Sequence, residues 1–60
     1  MTRKDYIAIA QALKDARAFC ETRNQERGVE RACNTIAQVM ANDNSAFDRA
    51  RFLAACGVQS

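Results

Sequence analysis

Apolar side chains recur along this chain in steps of three and four residues, in three runs separated by two polar breaks. In the first run Tyr6, Ile9, Leu13, Ala16 and Cys20 form one stripe, while Lys4, Gln11, Lys14 and Asp15 lie opposite. That spacing brings side chains to one face of an α-helix and to neither face of a strand. Thr2 supplies a hydroxyl N-cap, and Asp5 three residues on suits the positive end of the helix dipole. Ile7 departs from the stripe and projects into the polar side, which marks it as a candidate contact.

The polar segment "ETRNQ", from Glu21 to Gln25, ends the first run, and Asn24 is the expected N-cap of the second. Val29, Ala32, Cys33, Ile36, Val39 and Met40 form its stripe; Arg27, Arg31, Asn34 and Gln38 line the other side at four-, three- and four-residue steps. Gly28 weakens the first turn by about 1 kcal/mol relative to Ala. It leaves an end that frays or admits another helix closely. "ANDNS", from Ala41 to Ser45, then closes the second helix and opens the third. It shares oxygen-rich residues with a calcium loop but lacks the alternate ligands and the late Glu such a loop needs.

In the third run Ser45 is the expected cap, with Asp48 three residues on, and Gly57 is a natural stop because it accepts positive φ. Ala46, Ala50 and Leu53 face one way, Phe47 and Phe52 flank that face, and Arg49 interrupts it beside Cys56. A helix this short cannot easily bury both rings against one helix pair. Either it is wedged deeply between the other two, or one Phe is left for a partner. The expected fold is all-α: a compact three-helix bundle with helices over 3–21, 25–41 and 46–56, a single small domain over 1–60.

Composition sharpens this in one respect. A chain of 60 residues buries only about 60% of its unfolded surface, so the core is marginal and a homodimer is one way to complete it. No Pro, only two Gly and a predominance of Ala leave nothing to compete with helix. The net charge of +2 is weaker than that of a typical nucleic-acid-binding domain. No run approaches the length of a membrane span, and "MTRKDYIAIAQALK" has no continuous apolar segment, so neither membrane insertion nor a signal peptide is expected. A cytoplasmic chain with reduced thiols is.

The chemistry-bearing residues are few. Cys20, Cys33 and Cys56 are odd in number and irregularly spaced, so they read as small buried hydrophobes and not as a disulfide framework. With no His and no C-x-x-C pair, zinc is not expected, nor is any other cofactor. Neither a Gly-rich phosphate loop nor a nucleophile–base pair occurs, so the chain is not expected to be an enzyme. The Arg27, Arg31, Asn34 and Gln38 row offers phosphate and base-edge contacts. Glu26 and Glu30 adjoin it and would repel phosphate, so a solvated face of Glu/Arg pairs is the plainer account.

Two segments carry a resemblance. "RKDYIAIAQAL", from Arg3 to Leu13, and "ANDNSAFDRARFLAACG", from Ala41 to Gly57, together nearly half the chain, resemble a family of small, functionally uncharacterised accessory proteins of tailed bacteriophages and prophages. The resemblance implies a protein that works in the cytoplasm of a bacterial host by binding. Its sharpest form is an anti-CRISPR-like inhibitor that blocks a surface of a host defence complex. Such a surface carries aromatic or Arg hot spots, and the candidates are Ile7, Arg27, Arg31, Gln38, Phe47, Arg49 and Phe52. Two alternatives stand beside it: a nucleic-acid-binding accessory factor of phage replication or regulation, and a self-associating structural helical protein.

Overall fold

The computed structural model describes residues 2–58 and consists of three helices packed against one another. Helix α1 spans Arg3–Ala18, α2 spans Arg23–Asp43 and α3 spans Arg49–Ala55. No strand occurs among the described residues. The fold is the expected three-helix bundle; the boundaries move, and each shift has a local cause.

Helix α1 starts where expected. The Asp5 carboxylate accepts from the Thr2 backbone N–H at 2.9 Å and from its hydroxyl at 3.2 Å. These bonds favour the charged form and hold Asp5 below the usual carboxylate range. Its end comes earlier than 21: Phe19 is the C-cap, and the Cys20 N–H turns back to the Arg17 carbonyl at 3.1 Å.

The reason is a capping box two residues earlier than expected. Thr22, not Asn24, caps α2. Its Oγ1 accepts from the Gln25 N–H at 3.2 Å, while Gln25 Oε1 reaches back to the backbone N–H groups of Glu21 and Thr22 at 2.7 and 3.4 Å. The Thr-x-x-Gln spacing satisfies several orphan donors at once, which a lone Asn cannot do. Nothing lies within 4 Å of a Cβ built on Gly28, so no helix of this chain makes the close approach that glycine would admit.

The connection to α3 also differs. Asn44 caps the end of α2, and its Oδ1 accepts from the Ala46 N–H at 3.0 Å, forming an Asx-turn. The Phe47 N–H donates to the Asn44 carbonyl at 3.0 Å. Residues 45–47 are therefore committed to a turn, and Asp48, not Ser45, caps α3 through the Arg51 N–H at 3.0 Å. Gly57 ends it as expected, at φ 82°. The Gly57 N–H donates to the Ala54 carbonyl and the Val58 N–H to the Leu53 carbonyl, each at 3.0 Å, the paired bonds of a Schellman motif.

The chain runs up, down and up: Tyr6 meets Phe47 near the starts of α1 and α3, and Gly57 lies over Lys14 and Arg17 near the end of α1. The buried core is Ala10, Cys33, Ala37, Met40, Phe52 and Cys56. Partly buried Tyr6, Ile9, Leu13, Val29, Ile36, Phe47, Leu53 and Val58 surround it. Ala10 and Ala37, rather than Ala16 and Ala32, sit at the helix contacts; Ala16, Ala32, Ala46 and Ala50 are exposed. Val39, expected in the stripe, is 63% exposed, because Ala37 and Met40 set the inward direction of α2. No helix among the described residues is long and apolar enough to cross a membrane.

Candidate functional site

The seven residues singled out from the sequence fall into three places. Ile7, Phe47 and Phe52 meet at a groove between α1 and α3. Gln38 and Arg49 meet each other across α2 and α3. Arg27 and Arg31 stand alone on the outside of α2.

The groove encloses about 520 Å³. Ala10 and Phe52 are buried and form its floor, Tyr6 and Phe47 are half-buried walls, and Ile7 and Ala55 are exposed flanks. Arg3, Asp48 and Arg51 supply its charged rim. The aromatic wall follows from the capping just described. With Asp48 as N-cap, Phe47 is the residue before it and Phe52 is the fourth residue of α3, the two positions of a hydrophobic staple. Their ring centroids lie 5.5 Å apart at 55°, and Phe47 stands 4.9 Å from Tyr6 at 59°. Both are tilted arrangements of the kind aromatic quadrupoles favour.

This answers which Phe is left for a partner. Phe52 is 4% exposed and belongs to the core, so it cannot be a direct contact, contrary to its place among the candidates. Phe47 lies on the turn and not on a helix face, half-covered by Tyr6 and Phe52. Ile7, at 61% exposed, is the apolar candidate that remains open to solvent. The most exposed large apolar side chain among the described residues, Phe19 at 85%, lay outside the candidate set; its position at the C-cap of α1 would have shown it only if that helix end had been placed at 18.

The polar candidates behave differently. Gln38 Oε1 accepts from Arg49 Nη1 at 2.6 Å, and Gln38 Nε2 donates to Asn42 Oδ1 at 3.0 Å, so both side chains are engaged in holding α3 to α2. Arg27 and Arg31 are exposed. The expected Glu/Arg lacing of α2 does not occur: the ion pair among the described residues is Arg17–Glu30, 2.9 Å between α1 and α2, with a second bond from Arg17 Nε at 3.1 Å. That bond to Glu30 strengthens the hold of the guanidinium on its proton. Asn34 is half-buried and donates to the Glu30 carbonyl at 2.9 Å, so it leaves the row as well.

The thiols divide two and one. Cys33 and Cys56 are fully buried side by side, and burial, reinforced by Cys33, pushes the Cys56 thiol up to about 12. Such a thiol is protonated and inert at neutral pH. Cys20 is half-exposed, its Sγ donating to the Ala16 carbonyl at 3.5 Å. No group of three or more Cys, Asp or Glu that could hold a metal ion occurs among the described residues.

No protein-family model matches the chain, and neither a similar curated protein nor a similar solved structure is found.

Proposed function

We propose that this chain is a small phage accessory protein that acts by binding in the bacterial cytoplasm, blocking a surface of a host defence complex as an anti-CRISPR protein does, without catalysis. The observation that carries the binding reading is the α1–α3 groove, about 520 Å³ with an apolar floor and an arginine-bearing rim. A concave, largely apolar recess with a few charged groups is what a recognition site needs. The defence-inhibitor form draws on the likeness of residues 3–13 and 41–57 to phage and prophage accessory proteins.

The test is biological. The chain is expressed in a bacterium with an active CRISPR interference system, and a targeted phage is plated. Restored plating, together with a nuclease-resistant complex between the chain and one component of the interference machinery, is the expected result. Unchanged plating against interference systems of several types would remove the defence reading.

A second reading has one observation in its favour. Because Arg17 engages Glu30, the neighbouring Arg27 and Arg31 are exposed without an ion-pair partner among the described residues. A nucleic-acid-binding accessory factor would use them on phosphates. Its mark is an affinity that falls steeply with salt and is lost in the Arg27→Glu, Arg31→Glu double variant.

A further inference from the structure

The groove has a chemical character that narrows what can fill it. Its lining is apolar: the buried Ala10 and Phe52 close it from below, Ile7 and Ala55 stand exposed on its flanks, and no buried polar or charged side chain occurs among the described residues. Its rim carries two arginines, Arg3 at the start of α1 and Arg51 in the first turn of α3. Neither has an ion-pair partner among the described residues. A positive charge in the first turn of a helix works against the dipole, so these two side chains are not there for helix stability. The one rim acid, Asp48, already accepts the Arg51 backbone N–H through Oδ1. The rim is therefore net positive over an apolar floor.

Size limits the occupant further. Helix α3 has 7 residues, and at about 1.5 Å per residue its side of the groove is roughly 10 Å long. That accommodates two turns of a partner helix with anchors at i and i+3 or i+4, and not a longer seam. Small, exposed Ala55 lets such anchors come close to the backbone of α3, beside the exposed Ile7 of α1.

We infer that the α1–α3 groove is the docking site for an acidic, amphipathic segment of a partner protein, seating its apolar anchors between Ile7 and Ala55 and pairing its carboxylates with Arg3 and Arg51. This rests on the binding reading above and names the face and the chemistry it uses. The exposed apolar flanks, Ile7 and Ala55, separate this occupant from nucleic acid, whose phosphates would gain from the arginines but nothing from the apolar surface. Carboxylates at the rim contribute mainly to orientation and on-rate, and the anchors to residence time.

The probes are three short helical peptides sharing Leu at i and i+4 and differing only in their polar face: Glu-rich, Gln-rich and Lys-rich. Each is titrated into the isotope-labelled full chain and followed by amide NMR. The Glu-rich peptide is expected to saturate below about 1 mM, to bind at least about tenfold more tightly than the Lys-rich one, and to weaken with salt. Its shifts should centre on Ile7, Ala10 and Ala55. Ile7→Ser should weaken all three peptides, because Ile7 is an exposed flank and not part of the core. The Arg3→Glu, Arg51→Glu double variant should transfer the preference to the Lys-rich peptide. Both changes place an acid in a first turn, where it suits the dipole, so the fold is retained; circular dichroism checks this.

Equal binding of the Glu- and Lys-rich peptides, shifts centred elsewhere, or no saturation would overturn the inference. The plating assay separates the two claims. A chain that restores plating but ignores the Glu-rich peptide keeps the defence reading and loses the groove. One that seats the peptide without restoring plating keeps the groove and loses the defence reading.

Discussion

At the scale of single residues, the two glycines stand in opposite relations to the fold. Gly57 holds φ 82° at the end of α3, where its N–H and that of Val58 close the Schellman motif. A Cβ there would meet Lys14 Cγ at 3.8 Å and Arg17 Nη1 at 4.0 Å, which is ordinary contact. The cost of Gly57→Ala is therefore backbone strain alone, about 1–2 kcal/mol. Gly28 has ordinary helical backbone and open space around it. Gly28→Ala should gain about 1 kcal/mol from helix propensity and a less flexible unfolded chain. Urea denaturation of the two variants should move the midpoint in opposite directions from the parent. A midpoint that falls in Gly28→Ala would mean the open space beside α2 is filled in solution by something that a methyl displaces.

At the scale of elements, α3 is decided by its approach and not by its own seven residues. The staple between Phe47 and Phe52, with Tyr6 against it, fixes the angle at which the chain enters the helix. Phe52→Ala empties a buried site and should cost about 3–5 kcal/mol. The whole stability of a 60-residue chain is roughly 3–9 kcal/mol on a per-residue scale, so this variant should lose most of it and melt far below the parent. Phe47 is half-buried, and Phe47→Ala should stay folded with a lower melting temperature; Phe47→Leu should recover part of the loss. If Phe47→Ala melted like the parent, the ring would not be part of the wall of the groove. The same segment shows what the sequence made legible. Three helices, the inward position of both Met40 and Leu53, and the Gly57 stop follow from period and stop chemistry. The caps were ambiguous because polar residues cluster at each break. Thr22 and Asn24 both fit a cap, as do Ser45 and Asp48, and neighbouring side chains chose: Gln25 answers Thr22, while the Asn44 turn consumes the donors Ser45 would have served. Moving the start of α3 from 46 to 49 moved Phe47 off the helix, and with it the idea that one ring is spare. The groove itself is a meeting of residues 3–10 with 46–55, which no pattern within one helix can disclose.

At the scale of the whole molecule, each helix packs against both others, over extents of 34 × 18 × 15 Å. Helices shorter than about 12–15 residues are marginal in water, so α3, with 7, exists only while docked. Undocking it opens the core shared by all three. Cys33 on α2 and Cys56 at the end of α3 meet in that core, which makes them reporters of global opening. The Cys56 thiol, pushed from 9.0 up to about 12 in the fold, also ties stability to pH. Its proton is held more tightly folded than unfolded, so its contribution is complete below pH 9.0 and is lost as pH rises through about 12. The urea midpoint should therefore fall across that range, and Cys56→Ala should flatten the fall relative to the parent. Alkylation at neutral pH reads the same event directly. Cys20 should react at once, and Cys33 and Cys56 together, slowly, at a rate that urea accelerates in proportion to global unfolding. Rapid labelling of Cys56 alone would show that α3 leaves the bundle by itself, and would make the groove on its flank a transient feature instead of a preformed one.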